Sequence, residues 1–113
     1  MTNEELMQIY TADPDNAEDA LVQLYEQNMD LIWDIARNSA KAFNCLNATQ
    51  YSKNILEDLV SEGVLAFSEV ISSGKYDESL GKLTTYAYPF IKGAMHLWHR
   101  AYVDTKITAT KGL

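Results

Sequence analysis

Apolar residues in this chain recur every three or four positions over long stretches, and no segment alternates apolar with polar. Between Ala17 and Phe43, the residues Leu21, Leu24, Tyr25, Leu31, Ile32, Ile35, Ala36 and Phe43 keep that spacing, while Glu26, Asp30, Asp34 and Arg37 fall mostly outside it. Such spacing gathers side chains on one face of an α-helix; a strand would need a period of two. The same period returns in Leu59, Val60, Val64, Phe67, Val70 and Ile71, and again beyond Tyr86. With 113 residues, 47% of them hydrophobic, the chain has enough apolar surface for one real core. The fold class is therefore all-α, a compact bundle of about four helices.

Local signals set the boundaries. Thr2 with Glu5 three residues later fits a capping box and predicts a short helix over Asn3–Tyr10. Asp13-Pro14-Asp15-Asn16 breaks it, and Asp15 or Asn16 is placed to cap the helix that runs to Phe43. Asn44–Ser52 is polar and reads as a loop with room for helical turns. Asp58 then heads a third helix to about Ser73, closed by Ser72-Ser73-Gly74, where glycine suits a left-handed cap. Thr85 starts the last helix, with Pro89 in or near its first turn. A helix from Tyr86 to Val103 would be about 27 Å long. Phe90, Ala94, Leu97 and Ala101, together with Ile91, Trp98 and Tyr102, predict one broad buried face on it. Lys92, His96, His99 and Arg100 share the opposite stripe. The domain spans 1–105, and 106–113 belongs to an extended tail that begins near Asp104.

Composition narrows the function classes. Cys45 is the only cysteine, so an internal disulfide is excluded and a reducing compartment expected. The acidic N-terminus is no signal peptide, and no uncharged stretch approaches the eighteen or so apolar residues of a membrane span. A cytoplasmic protein without membrane contact is expected. No glycine-rich phosphate loop or Ser–His–Asp arrangement is present, so neither catalytic residues nor a cofactor is expected, and the chain is read as a non-enzyme. His96 and His99 have a spacing able to chelate zinc, but Cys45 is distant and no carboxylate completes the set. They read as solvated or phosphate-facing, and no metal is expected.

The net charge of −7 hides an asymmetry. Residues 1–74 hold three basic and thirteen acidic side chains, whereas residues 75–113 hold six basic and three acidic. An acidic body with a basic, aromatic last third predicts two surfaces with different partners. In that last third, Thr84-Thr85, Tyr86, Tyr88 and Phe90 stand close to Lys75, Lys82 and Lys92. Aromatic platforms stack unpaired bases, at about 1–3 kcal/mol per base. Lysine, arginine and protonated histidine neutralise phosphates. Tyr86 and Phe90 share a helical face, with Tyr88 turned away. Tyr86 is read as functional, while the place of Phe90 on the apolar stripe favours the core for that ring. On the third helix Leu65 sits on the outer face with Ser61, Glu62, Ser68 and Glu69. It is either a single exposed leucine or an anchor for a partner.

Two segments carry a resemblance. DLVSEGVLAF (Asp58–Phe67) followed by YDESLGKLTTYAYPFIKGAM (Tyr76–Met95) resembles region 2 of bacterial RNA polymerase sigma factors, in the smaller alternative and sporulation-type members. The run Glu4–Ala36 is similar to the entry helices of that family, and Ile107–Leu113 (ITATKGL) to the start of its region 3. The resemblance implies a transcription initiation factor module that docks on the clamp helices of the largest subunit of core polymerase. It would capture the non-template strand of the promoter minus-ten element as it melts. By position, the polymerase-binding face comprises Asp58, Ser61, Glu62, Val64 and Ser68, with Leu65 beside them; periodicity, by contrast, turns Val64 inward. The DNA-binding set comprises Lys82, Thr85, Tyr86, Phe90, Lys92, His96, His99 and Arg100, with Tyr88 among them. Tyr86 falls where the family stacks a flipped adenine. Leu83 stands where the family is usually aromatic, Leu80 where it is often basic, and Ser61 and Val64 replace amides. No helix-turn-helix follows, so upstream promoter contact would fall to a second chain or to a longer factor of which this is a fragment; an anti-sigma factor is a further partner of the same kind. The alternative is a polymerase-docking adaptor, or a helical protein-interaction module, without DNA melting.

Overall fold

Four helices and one short 3-10 turn follow from these signals in a computed structural model, which describes the backbone of residues 1–43 and 49–111 and the side chains of 1–43 and 54–103. They are α1 (Asn3–Ala12), α2 (Ala17–Ala42), α3 (Thr49–Ser72), the turn Glu78–Leu80, and α4 (Leu83–Lys111). The described residues contain no strand. The bundle measures 55 × 24 × 23 Å, its length set by α4, which at 29 residues is the longest helix. Among the described residues no helix is long and apolar enough to cross a membrane.

The caps act as the sequence predicts in α1. The Thr2 hydroxyl accepts from the Glu5 backbone N–H at 3.1 Å, and the Glu5 carboxylate accepts from the Thr2 N–H at 3.3 Å. Asn16 occupies the N-cap of α2, but its amide donates to Asp13 Oδ2 instead of capping the helix. Gly74, at φ 71°, closes α3 in the left-handed region.

Three boundaries differ from the sequence reading. α3 begins at Thr49 and not at Asp58. No glycine or proline interrupts residues 49–57, and Ile55, buried four residues before buried Leu59, extends the core face. The first half of the predicted 44–52 loop lies outside the described residues. α4 begins at Leu83, so Thr85 is not its cap and Pro89 sits inside the helix. The proline has no N–H to donate to the Thr85 carbonyl, and both residues are exposed. Finally, the backbone stays helical through Lys111, where an extended tail is predicted from Asp104; no breaker residue stands between Gly93 and Lys111 to stop it.

The core gathers where α2, α3 and α4 cross. Leu24, Ile32, Leu59, Phe67, Ile71, Ile91 and Met95 are fully or almost fully buried, and α1 adds Leu6 and Met7. Tyr25 meets Phe67 edge to face at 6.0 Å. Gly63 stands at the crossing. A Cβ there would lie 2.5 Å from Met95 Cε, 2.9 Å from Ile32 Cγ2 and 3.3 Å from Ile91 Cγ2. Only a residue without a side chain lets the three helices approach this closely.

Gly93, on the exposed side of α4, has nothing within 4 Å of such a Cβ. The two glycines therefore predict opposite outcomes. Gly63→Ala should cost about 1 kcal/mol net, because overpacking among fully buried neighbours outweighs the gain in helix propensity. Gly93→Ala should stabilise by about 0.5–1 kcal/mol. Urea denaturation of the two variants checks both signs, and stabilisation by Gly63→Ala would refute the close approach.

Candidate functional site

The start of α4 is held from outside its own helix. The Leu83 backbone N–H donates to Glu4 Oε2 of α1 at 3.1 Å, so a carboxylate from the other end of the chain occupies the N-terminal end of α4. The turn before it is fixed by Asp77, which accepts from the Ser79 N–H at 3.2 Å, and by Tyr76, whose hydroxyl donates to the Gly81 carbonyl at 2.7 Å. Gly81, at φ 103°, makes the reversal that a side-chain-bearing residue would strain. Gln8 of α1 donates to Glu78 at 2.7 Å. α1 is itself registered on α2 by a reciprocal amide pair. Asn28 Nδ2 donates to Asn3 Oδ1 at 2.8 Å, and Asn3 Nδ2 donates back to Asn28 Oδ1 at 3.1 Å.

On this frame stands a ladder of three rings. Tyr76 and Tyr86 lie 5.3 Å apart between centroids, and Tyr86 and Phe90 5.2 Å. Tyr86 is half-buried and Phe90 is 50% exposed. Phe90 is thus a surface residue, which corrects its assignment to the core. The stripe Phe90, Ala94, Leu97 and Ala101 forms the rim of α4, and the buried face is Ala87, Ile91 and Met95 flanked by half-buried Trp98 and Tyr102. The physical reason is that α3 covers only one side of α4, at Gly63. Tyr86, Pro89, Phe90, Gly93 and Leu97 form one wall of a groove of about 520 Å³, whose other wall is Ala66, Glu69 and Val70 of α3 with Ser73 just beyond it, and Lys75 also lines it.

The remaining residues expected at a DNA face divide around the helix. Lys82 and Thr85 are exposed. Tyr88, 42% exposed, carries Lys92 over its ring at 5.9 Å and points away from the Tyr86–Phe90 face. His96 and His99 meet Phe43 from the end of α2: His99 stacks on it at 3.7 Å and 4°, and His96 packs edge-on at 4.8 Å. Burial, and after it the neighbouring His96, lowers the pKa of His99 below the ordinary imidazole value. His99 is therefore a neutral ring at neutral pH, and the cations on this side are Lys92 and Arg100, both exposed. The cation that lines the aromatic groove is Lys75, which the sequence places near the aromatics but which is outside the DNA-binding set drawn from it. Tyr76 itself was also unassigned. Burial, then Glu4, Glu78 and Asp77, raise its pKa, so the hydroxyl keeps the proton that it donates to Gly81. Among the described residues no group of three ligand-type side chains converges.

On α3, Asp58, Ser61 and Leu65 are exposed together with half-buried Glu62 at their edge, and Leu65 is 58% exposed. Val64 and Ser68 are half-buried at the edge of this row that faces α2. Val64 packs on the core, as its periodicity indicates, and the Ser68 hydroxyl bonds the Tyr25 hydroxyl. Ser68 thus stands at the edge of the outer row, with its hydroxyl engaged by Tyr25.

A pH dependence follows from His99. The folded state prefers the neutral ring, so its contribution to stability is present above the ordinary imidazole pKa of about 6.5 and is lost as pH falls through the lowered folded value. The denaturation midpoint should drop between about pH 7.5 and pH 5. His99→Phe, which keeps a ring against Phe43 and cannot titrate, should flatten that drop; an unchanged pH slope would rule out His99 as its source. Comparison with protein-family models, with curated proteins and with solved structures finds no match to this chain in any of the three.

Proposed function

We propose that the chain is a transcription initiation factor module of the sigma region 2 type, which binds core RNA polymerase and holds the non-template strand of the minus-ten element as it opens. The observation that carries the reading is the Tyr86–Phe90 pair, standing partly exposed at a groove end beside Lys75 instead of sealed in the core. Extruding a base costs a few kcal/mol, and stacking on such rings, with the strand phosphates near lysines, offsets that cost. The anchoring of α4 by Glu4 and of its preceding turn by Tyr76 supports a preformed platform, so little ordering is needed on binding. The row of exposed Asp58, Ser61 and Leu65 with half-buried Glu62 on α3 is the polymerase-docking face in this reading, an acidic surface with one apolar anchor. The clamp helices of the largest subunit are its partner.

A second reading, a polymerase-docking adaptor that opens no DNA, draws on the net charge of −7 and on His99, whose pKa burial against Phe43 lowers. Both weaken the attraction to phosphates. The discriminating measurement is retention of a fork-shaped promoter DNA by core polymerase with this chain added. The first reading expects retention that falls steeply with salt. It also expects Tyr86→Ala to lower the affinity by about 1–3 kcal/mol, or roughly ten-fold and more. Unchanged open-complex formation by Tyr86→Ala would remove the melting role, and co-purification with polymerase without DNA retention would leave the adaptor.

A further inference from the structure

The first turn of α4 has two places at which a helix could start. Locally, Thr84 and Thr85 carry the hydroxyls that suit an N-cap. The helix starts instead at Leu83, with the Lys82 carbonyl accepting the Tyr86 N–H at 3.0 Å. A lysine side chain has only donors, so it cannot accept from the orphan N–H groups of a first turn, and nothing local favours that start. Pro89 adds to the imbalance. It has no N–H for the Thr85 carbonyl, so the turn ahead of it is tied to the rest of α4 by one bond fewer.

What holds the longer form comes from α1. Glu4 Oε2 accepts from the Leu83 N–H at 3.1 Å across 79 positions of sequence. A carboxylate there also suits the positive end of the helix dipole. Glu4 is itself pinned from both sides. Asn3 exchanges amide hydrogen bonds with buried Asn28 of α2, and Gln8, one turn on, donates to Glu78 in the turn before α4. The capping box of α1 uses Glu5, which leaves the Glu4 carboxylate for α4. Tyr86 is the residue that the choice of start affects. In the longer form its N–H is bonded, and its ring stands 5.3 Å from Tyr76 and 5.2 Å from Phe90. A helix capped by Thr85 would make Tyr86 its first residue, with an N–H that has no helical partner. Leu83 is fully buried and anchors the segment in either form, so the difference lies in the backbone between it and Tyr86.

We propose that Glu4 is a positioning residue for the aromatic site: by capping Leu83 it selects the longer form of α4 and fixes Tyr86 in the ring ladder. α1 is then a strap, and its seating and the occupation of the ladder reinforce each other, since coupling between two sites acts in both directions. The effect on a bound strand rests on the function proposed above; the choice of helix start does not.

Amide hydrogen exchange of the whole chain, followed residue by residue by NMR, tests this. In Glu4→Ala the Leu83 and Tyr86 N–H groups should exchange about ten-fold faster, the effect of one lost cap, while those of Ile91 and Met95 keep the parent's rates. Glu4→Gln keeps a carbonyl acceptor and should restore most of the protection. Adding Thr85→Val to Glu4→Ala removes the competing cap and should slow exchange at Tyr86 again. Equal acceleration at all four amides would reduce Glu4 to a general stability contact and overturn the proposal, as would the parent's rate at Tyr86 in Glu4→Ala. In the fork-DNA measurement Glu4→Ala should lower retention with an unchanged salt slope, because it removes no phosphate contact. Glu4→Gln, which loses the same charge but keeps the acceptor, should retain DNA as the parent does. Retention lowered by Tyr86→Ala and untouched by Glu4→Ala overturns the positioning role. If neither variant lowers it, the proposed function fails, and the exchange rates alone decide the helix start.

Discussion

The absence of a side chain at Gly63 is the constraint from which the rest of the bundle follows. Ile32 of α2 and Ile91 and Met95 of α4 come to within contact distance of where its Cβ would be, and all three are fully buried. The helices meet at one point and diverge from it, as packed helices with a crossing angle must. Because Ile91 and Met95 are committed to that contact, the rotation of α4 is settled. Phe90 and Leu97 on the neighbouring stripe cannot also reach the core. A single close approach inside the molecule thus determines which aromatic side chains stand at its surface.

Polar contacts over long sequence distance do the rest of the positioning. α1 is short and buries few side chains, yet it joins three parts of the chain: Asn3 pairs with buried Asn28 on α2, Gln8 holds Glu78 in the turn, and Glu4 takes the first N–H of α4. Asn28 is buried, and leaving a polar group unsatisfied in such a setting costs about 1–3 kcal/mol, whereas the Gln8–Glu78 bond is exposed. The Tyr76, Tyr86 and Phe90 ladder rests on that strap. Its rings hold their places through α1 and the turn before α4 as much as through α4 itself.

The electrostatics are less uniform than the residue types suggest. Lys92, His96, His99 and Arg100 share a stripe by sequence offset, but the ring of His99 is stacked on Phe43, and its burial there lowers its pKa. Lys92 lies over Tyr88 on a side away from the Tyr86–Phe90 face. Lys75, which precedes α4, is the cation at the groove. Cationic side chains thus surround α4 on several sides, and the aromatic pair has one of them as its neighbour in the groove.

Helical period and local caps were enough to read the all-α class, the capping box at Thr2 and Glu5, the break at Asp13–Asn16, the glycine stop after α3, and most of the buried residues of α2 and α3. These depend on interactions within a few residues, so the local sequence contains their cause. The start of α4 could not be read that way, since Glu4 supplies its cap from 79 residues away. The outward placement of Phe90 and Leu97 was equally hidden, because an apolar stripe records where a helix could be buried and not which part of it a neighbour covers. Only the crossing at Gly63 decides that, since two stripes on one helix compete for the same contact and packing admits one.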